Sequence, residues 1–260
     1  MAAIVTLTTD FGTKDWYVGA MKGAILSICP EATLVDITHD CDPFDIKMAA
    51  FQFGCAYSQF PIGTVHLVVV DPGVGSDRES LIVETKGFYF VAPNNGILSY
   101  ALKGKHKAKI FKINYNKVGT HTVSPTFHGR DIFAPAAAYL LKGVNILQFC
   151  KVLPQQSLIK LPLGKKIGKW CRVMGMDRFG NILLDIHREH LLDVDLRHLR
   201  VKVPGLGLLK INSHYSQMDQ SQYGLIFGGS DYLEIALRVG NAAKMTKLKK
   251  GDRLEIVVLP

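Results

Sequence analysis

Short apolar runs alternate with longer segments of helical periodicity over the first 70 residues. Apolar and β-branched residues dominate positions 4–8, 33–37 and 65–70, where only Asp36 and His66 interrupt them, and this predicts three strands. Segments 16–28 and 45–60 repeat apolar residues at helical spacing, and a proline follows each of them closely. This order predicts a layered α/β domain, and the almost continuous apolar character of the third strand indicates a parallel sheet covered on both faces.

After residue 80 the predicted elements become shorter. Two alternating segments, 81–85 and 88–91, are joined by a lysine-glycine pair and predict a hairpin. A helical period returns over 131–141, where alanine dominates. The stretch 151–169 is polar and interrupted by prolines, which indicates a domain boundary.

Strand-like runs dominate the chain beyond residue 170, and no long amphipathic helix accompanies them. The runs lie at 171–174, 182–186, 206–211, 225–227, 233–239 and 253–259. They predict a small β-barrel or a sandwich. We therefore expect two domains: a layered α/β domain with a mostly parallel sheet over 1–160, and a smaller all-β, barrel-like domain over 168–260.

The composition narrows the class of protein. A chain of 260 residues that is 48% hydrophobic and 20% charged is typical of a folded protein. No apolar run approaches the ~20 residues that cross a bilayer, and the N-terminus lacks the basic and apolar regions of a secretion signal. The five cysteines are scattered without CxxC spacing, which disfavours disulfides and zinc clusters and favours buried, reduced thiols in the cytoplasm.

The formal charge of +9 is the one unusual bulk property. Basic chains often bind nucleic acid or anionic membranes, so a nucleic-acid or nucleotide-binding module is one hypothesis. Much of the excess charge lies in lysine-rich stretches at 103–109, 165–169 and 247–250. These stretches carry no interleaved aromatics for base stacking, and we expect them to be solvated.

Three aspartates lie at or near the ends of the first three predicted strands. They are Asp10, Asp36 and Asp71. One such aspartate is most often a helix cap or a turn residue. Because the carboxyl ends of parallel strands converge on one crevice, three together favour a functional site at this edge.

Three loops carry the remaining candidate chemistry. The glycine-rich loop 71–78 lacks the sequence patterns of P-loops and of dinucleotide-binding folds. It carries a carboxylate and a guanidinium that can fold back towards each other. An ordinary turn with a surface salt bridge would have the same composition. Segment 126–131 contains His128, whose pKa suits proton exchange at neutral pH, although Asp131 there also suits a helix cap. Segment 177–181 has the composition of a tight turn.

A metal site has weaker support. His39, Asp40 and Asp42 cluster in sequence, but their spacing does not differ from that of a polar loop.

Six separated segments resemble, in the expected order, the S-adenosylmethionine hydrolases, also called SAM hydroxide adenosyltransferases. They are TTDFGTKDWYVGAMKG at 8–23, DPGVGSDR at 71–78, APNNGILS at 92–99, TFHGRDIFAPAAA at 126–138, DRFGN at 177–181 and YLEIALRVGNAA at 232–243. The second and fourth segments are the most specific. The resemblance implies an α/β domain followed by a barrel-like domain, and a homotrimer whose substrate lies between the large domain of one subunit and the small domain of its neighbour.

The resemblance also implies roles for individual residues. Asp71, Arg78 and His128 correspond to the triad that holds and activates a water molecule. The implied substrate-binding residues are Asp10 for the ribose hydroxyls, Phe44, Phe179 and Tyr215 as aromatic walls, Asn181 for the adenine edge, Asp177 for the methionine ammonium, and Ser230 and Ala242. The chain departs from the family at Asn94, where an aspartate is usual, and the loop around Ser230 offers no cation for the methionine carboxylate.

The reaction that the resemblance implies is attack of an activated water at C5′ of S-adenosyl-L-methionine, giving adenosine and L-methionine without a metal or redox cofactor. The triad leaves open which member takes the proton. The related fluorinases and chlorinases make a halogenase the nearest alternative. A halide beside an ionised Asp71 would meet like-charge repulsion, which disfavours that alternative.

Overall fold

A computed structural model describes residues 3–104, 107–118, 122–163 and 168–259 of the chain. The chain divides into two compact units on either side of Leu163. No helix in the described ranges is long and apolar enough to cross a membrane.

The first unit is built on a seven-stranded sheet. Its strands are β1 (Ile4–Thr9), β2 (Thr33–Thr38), β3 (Val65–Val69), β4 (Ser80–Glu84), β5 (Tyr89–Pro93), β6 (Lys109–Ile113) and β7 (Cys150–Leu153). They lie in the order β2-β1-β3-β5-β4-β6-β7. The first four in this order pair in parallel, and the hairpin β4-β5 and the pairs β4-β6 and β6-β7 are antiparallel.

Helices cover both faces of this sheet, which confirms the layered α/β prediction. The helices are α1 (Tyr17–Ile28), α2 (Ile46–Ala56) and α3 (Ala134–Leu141). On β3, Leu67 packs into the core beneath α1 and α3, whereas Val68 packs into the core beneath α2. Both side chains are fully buried, so each face of the strand packs into a core.

Two predicted helices differ from the structure at their ends. The second stops at Ala56 and continues as a 3-10 turn over Tyr57–Gln59, just before the proline at position 61. The third is preceded by a π-helical turn over Gly129–Phe133. Asp131 lies inside that turn and is not a cap, because its carboxylate accepts the amide of Ser124 at 2.9 Å and pairs with Arg130 at 2.6 Å.

The second unit is a closed seven-stranded barrel, so the barrel alternative is confirmed over the sandwich. Its strands are β8 (Trp170–Met176), β9 (Ile182–His187), β10 (Leu199–Val203), β11 (Gly207–Asn212), β12 (Tyr223–Phe227), β13 (Tyr232–Leu237) and β14 (Arg253–Val258). Their order is β10-β11-β12-β13-β9-β8-β14, with β14 paired back to β10. A short helix, α4 (Ala242–Thr246), follows β13. The pattern of the sequence missed α4, β6, β7 and β10.

The lysine-rich stretches and the cysteines behave largely as expected. Lysines of the three stretches that lie within the described ranges are exposed, and those at 105, 165 and 166 lie outside the described residues. All five cysteines are free thiols, and four of them are buried, but the expectation of burial is wrong for Cys55, which is exposed.

We expect the sheet core of the first unit to dominate its stability. Ile82 of β4 is fully buried, whereas Ile62 is 76% exposed. Ile82→Ala should lower the free energy of unfolding by about 2–5 kcal/mol because it leaves a cavity in a close-packed core. The matched control Ile62→Ala should change it by less than about 0.5 kcal/mol. Urea unfolding followed by circular dichroism measures both, and equal effects of the two variants would contradict this assignment of the core.

Candidate active site

A carboxylate and a guanidinium meet at the carboxyl end of β3. Asp71 follows β3, and Arg78 lies two residues before β4. Arg78 Nε donates to Asp71 Oδ1 at 2.9 Å, and Arg78 Nη2 donates to Asp71 Oδ2. The two side chains are only 10% and 5% exposed, so water screens this bidentate pair little.

The loop between these residues is shaped by a glycine. Gly75 has φ +81°, and a Cβ atom there would lie 2.6 Å from the carbonyl oxygen of Pro125. A side chain at this position would therefore push the loop away from the segment that leads to His128. Ser76 also fastens the loop, because its hydroxyl donates to the carbonyl of Gly73 at 2.6 Å.

His128 completes this group through the same guanidinium. Its Nδ1 lies 2.8 Å from Arg78 Nη2. Because a guanidinium only donates, Nδ1 is the acceptor, and the neutral imidazole carries its proton on Nε2. Burial lowers the pKa of His128, and the positive charge of Arg78 lowers it further. The ring is therefore a neutral donor at its Nε2 edge at physiological pH.

Two further contacts hold Arg78 in place. Its Nη1 donates to the hydroxyl of Ser80 at 2.9 Å, and its guanidinium lies over the ring of Phe133, 5.2 Å from the centroid. Four of the five N–H groups of the guanidinium thus have a hydrogen-bond partner. Sequence patterns gave no sign of Ser80 and Phe133, which lie in a strand and a helix that look like ordinary core.

Asp10 lies at the same edge of the sheet, directly after β1. Its Oδ2 accepts the amide of Phe44 at 2.9 Å. Burial raises the pKa of Asp10, the Phe44 amide opposes that rise, and the negative charge of Asp71 adds to it. Phe44 has φ +68° and a 71% exposed side chain, so the loop presents an aromatic ring beside a partly buried carboxylate.

Asp36 does not join this group, contrary to the expectation from strand ends. It lies within β2, where it bonds Lys22 Nζ at 2.6 Å and lies 3.0 Å from His39 Nε2. Lys22 and His39 hold the pKa of Asp36 below its usual range in spite of burial. His39 also bonds the hydroxyl of Thr9 at 2.8 Å, and no group of three or more metal-ligating side chains occurs anywhere in the described ranges.

A second group of candidate residues lies on the barrel, at the turn between β8 and β9. Asp177 accepts the amide of Asn181 on one oxygen and the side-chain Nδ2 of Asn181 on the other, both at 2.8 Å. Asn181 Nδ2 also lies 3.3 Å from the hydroxyl of Tyr215. Because a carboxylate only accepts, the atom facing Asp177 is the amide nitrogen, and the Oδ1 of Asn181 stays available to accept a bond.

The tip of this turn holds an aromatic ring in solvent. Phe179 is 78% exposed and Tyr215 is 45% exposed. Gly180, with φ +88°, packs its backbone on Asn241, and the amide of Ala243 donates to its carbonyl at 2.9 Å. These contacts place the turn against the start of α4.

Ala242 and Ser230, the last two predicted binding residues, lie in different parts of the barrel unit. Ala242 is fully buried at the first position of α4, beside the turn that carries Phe179. Ser230 lies in the turn between β12 and β13, and no contact found among the described residues links it to Asp177.

The departure at Asn94 has a structural reason. Its Nδ2 donates to Glu79 Oε2 and to the carbonyl of Ser157, each at 2.8 Å, while Oδ1 accepts the amide of Ile159 at 2.9 Å. The side chain is buried. An aspartate has no N–H to donate, so of the two residues only asparagine can make the two donated hydrogen bonds that link Glu79 and the carbonyl of Ser157 to this loop.

Sequence comparison identifies related proteins over nearly the whole chain. Residues 5–150 match the family model described as SAM hydroxide adenosyltransferase N-terminal domain, and residues 171–255 match the C-terminal domain of the same family. A protein of Methanocaldococcus jannaschii named (R)-S-adenosyl-L-methionine hydrolase is 34% identical over 98% of this chain and 95% of its own. One of the same name from Salinispora tropica is 30% identical, covering 97% of both chains.

More distant relatives and a solved structure extend the comparison. A protein of an Actinoplanes species named fluorinase is 24% identical over 95% of both chains. The crystal structure of an uncharacterized conserved protein from Thermotoga maritima is 36% identical, with a TM-score of 0.87 over 97% of this chain and 99% of that one.

We expect Arg78 to control the titration of His128. Replacing it by glutamine removes a positive charge and leaves Asp71 free to stabilise the imidazolium, so the pKa of His128 should rise. The control Arg130→Gln alters a residue bonded to Asp131 and should move that pKa much less. NMR titration of the imidazole signals measures both. An unchanged or lower pKa in Arg78→Gln would contradict the contact.

Proposed function

Because the chain belongs to the SAM hydroxide adenosyltransferase family, we propose that it hydrolyses S-adenosyl-L-methionine to adenosine and L-methionine. The contact of Arg78 with both Asp71 and His128 carries this proposal for the site. The relatives' names specify the (R) sulfonium epimer, so we propose that epimer as the preferred substrate. The sequence identities favour hydrolysis over halogenation, because the chain is 30% identical to the hydrolase of Salinispora tropica and 24% identical to the fluorinase.

The leaving group needs no help from the protein. Cleavage of the C5′–S bond of a sulfonium returns the bonding pair to sulfur and releases neutral thioether methionine. The task of the site is to hold one water in line with that bond and to accept its proton. The oxygen of that water becomes the 5′ hydroxyl of adenosine.

The hydrogen-bond pattern supports different roles for Asp71 and His128. His128 Nδ1 is occupied by Arg78, so its Nε2–H donates to the lone pair of the water and aims it. Each oxygen of Asp71 accepts one bond from Arg78 and retains a lone pair, so Asp71 takes the proton of the water as it attacks. Arg78 keeps both partners in register and is a positioning residue.

The remaining residues suit the parts of the substrate that do not react. Asp10 would accept bonds from the ribose hydroxyls, and the rings of Phe44, Phe179 and Tyr215 would flank ribose and adenine. The free Oδ1 of Asn181 would accept from the exocyclic amine of adenine, while Asp177 would hold the methionine ammonium. Ser230 and Ala242 remain assigned to binding by the resemblance alone.

We also propose that the reaction uses no metal or redox cofactor and takes place in the cytoplasm. Water and a sulfonium supply all the atoms and electrons of the products. Five free thiols suit a reducing compartment.

The reaction is tested by incubating the purified protein with each epimer of S-adenosylmethionine in oxygen-18 water. Mass spectrometry should find the label in the 5′ hydroxyl of adenosine, because the new bond joins the water oxygen to C5′. Turnover should survive a chelator, and added fluoride or chloride should give no halogenated nucleoside. Unlabelled adenosine, or methylthioadenosine as the main product, would refute the mechanism.

The roles of the triad are tested by substitution. Asp71→Asn and His128→Ala should each lower kcat at least about 100-fold, because each removes a group that contacts the nucleophile. Asp40→Asn and His198→Ala change the same residue types outside the site and should retain activity. Near wild-type adenosine release by either triad variant would show that its residue is not catalytic.

We propose a homotrimer in which each site combines first-unit residues of one subunit with barrel residues of its neighbour. Asp71→Asn and Asp177→Ala, each inactive alone, should then complement when unfolded together and refolded as a 1:1 mixture. Random assembly should restore about a quarter of the sites. Light scattering should give the mass of three chains. A mixture that stays inactive, or a monomer, would contradict the proposal.

A further inference from the structure

A buried acid on the barrel is not used by the mechanism described above. Glu234 of β13 is 8% exposed. Its strand neighbours are Ile226 on β12 and Leu183 on β9, neither of which titrates. Its carboxyl forms no hydrogen bond or ion pair with any residue that the structure describes.

The groups that face Glu234 are themselves acidic. Asp177, in the turn after β8, acts on it electrostatically, and Glu234 in turn raises the pKa of Tyr215, after the larger effect of burial on that phenol. No lysine, arginine or histidine of the described ranges pairs with Asp177 or Glu234. Burial first, and the charge of Asp177 second, raise the pKa of Glu234 to about 7.

The backbone makes room for this carboxyl. A Cβ atom at Gly228 would lie 1.9 Å from Glu234 Oε1, so only glycine at 228 leaves the carboxyl its place. Asp177, meanwhile, receives both of its bonds from Asn181 and so is fixed in the turn. The barrel therefore holds two carboxyls near each other with no cation to balance them, which is unfavourable until a positive group binds.

We propose that Glu234 and Asp177 together bind the ammonium group of the methionine moiety of the substrate. This inference rests on the proposed function for the identity of the ligand. In the free protein below neutral pH, Glu234 is the neutral acid. When the ammonium arrives, its charge favours the carboxylate, and Glu234 gives its proton to solvent.

The first test uses S-adenosylhomocysteine, which keeps the ammonium but has a neutral sulfur and a poor thiolate leaving group, so it binds without turnover. At pH 6.5, calorimetry in buffers of different ionisation enthalpy should show release of about a third of a proton per site, the amount that accompanies a fivefold gain in affinity when Glu234 ionises. Methylthioadenosine, which lacks the ammonium, should release none. Glu234→Gln should abolish the release.

The matched control is Glu255→Gln. Glu255 lies on β14, three strands from β13 around the barrel, and pairs with Lys169 at 3.3 Å. This variant should release protons as the wild type does. Three results would overturn the assignment: proton release that persists in Glu234→Gln, no proton release from the wild type, or no binding of S-adenosylhomocysteine.

The second test follows KM for S-adenosylmethionine against pH. The ratio of the Glu234→Gln value to the wild-type value should be close to one at pH 5.5, where both side chains are neutral. It should rise to about fivefold at pH 8, where only the wild type offers the second negative charge. A ratio that does not change with pH overturns the proposal.

A purely structural role makes a different prediction. The neutral form of Glu234 is favoured in the folded protein, so the wild type loses stability as pH rises from about 4.5 towards 7. The Tm of Glu234→Gln should therefore rise relative to wild type between pH 5 and pH 8, and this shift also checks that the variant folds. If the role of Glu234 is only structural, the substitution will change Tm but will change neither the proton release nor the KM ratio.

The outcomes separate this inference from the reaction itself. If S-adenosylmethionine yields no adenosine but S-adenosylhomocysteine still releases a Glu234-dependent proton, the hydrolase proposal fails and the ammonium site stands. If adenosine forms while the release is absent, the hydrolase proposal stands and the role of Glu234 is wrong.

Discussion

One guanidinium organises the chemistry of the first unit. Arg78 donates to both oxygens of Asp71, to Nδ1 of His128 and to Ser80. Since arginine cannot accept a hydrogen bond or lose its proton in this environment, each of these partners is forced to be an acceptor. The tautomer of the imidazole and the direction of the carboxylate lone pairs follow from that single restriction. The close contact between Gly75 and Pro125 keeps the loop that leads to Arg78 beside the segment that leads to His128, so Arg78 can reach both partners.

The local charge at the candidate residues is opposite to the charge of the whole chain. The formal charge is +9, yet the side chains gathered in the two groups include Asp10, Asp71, Asp177 and Glu234. A substrate with a sulfonium and an ammonium needs negative potential along its length. The lysines in the described ranges of the basic stretches are exposed, so they contribute to solubility more than to these groups.

The fold was largely accessible from periodicity because burial repeats regularly along the chain. Leu67 and Val68 show why: a strand buried on both faces leaves a continuous apolar run. Strands β6 and β10 are only five residues long, and lysine or arginine occupies two positions in each, so their sequences resemble loop. The segment match identified Asp71, Arg78 and His128 as a group, but the imidazole tautomer depends on a contact across 50 residues. Likewise, Glu234 is the one acid in the otherwise apolar strand β13, and the room for its carboxyl depends on the turn at Gly228, which the strand pattern does not reveal.

Closure of the barrel has a consequence for how this unit meets other chains. Its seven strands all have partners on both sides, so the described part of this unit leaves no row of backbone donors and acceptors open for a foreign strand to extend. The sheet of the first unit, in contrast, ends in β2 and β7. Recognition by the barrel must therefore be carried by side chains and loop tips. Such a surface can diverge in sequence without inviting edge-to-edge aggregation.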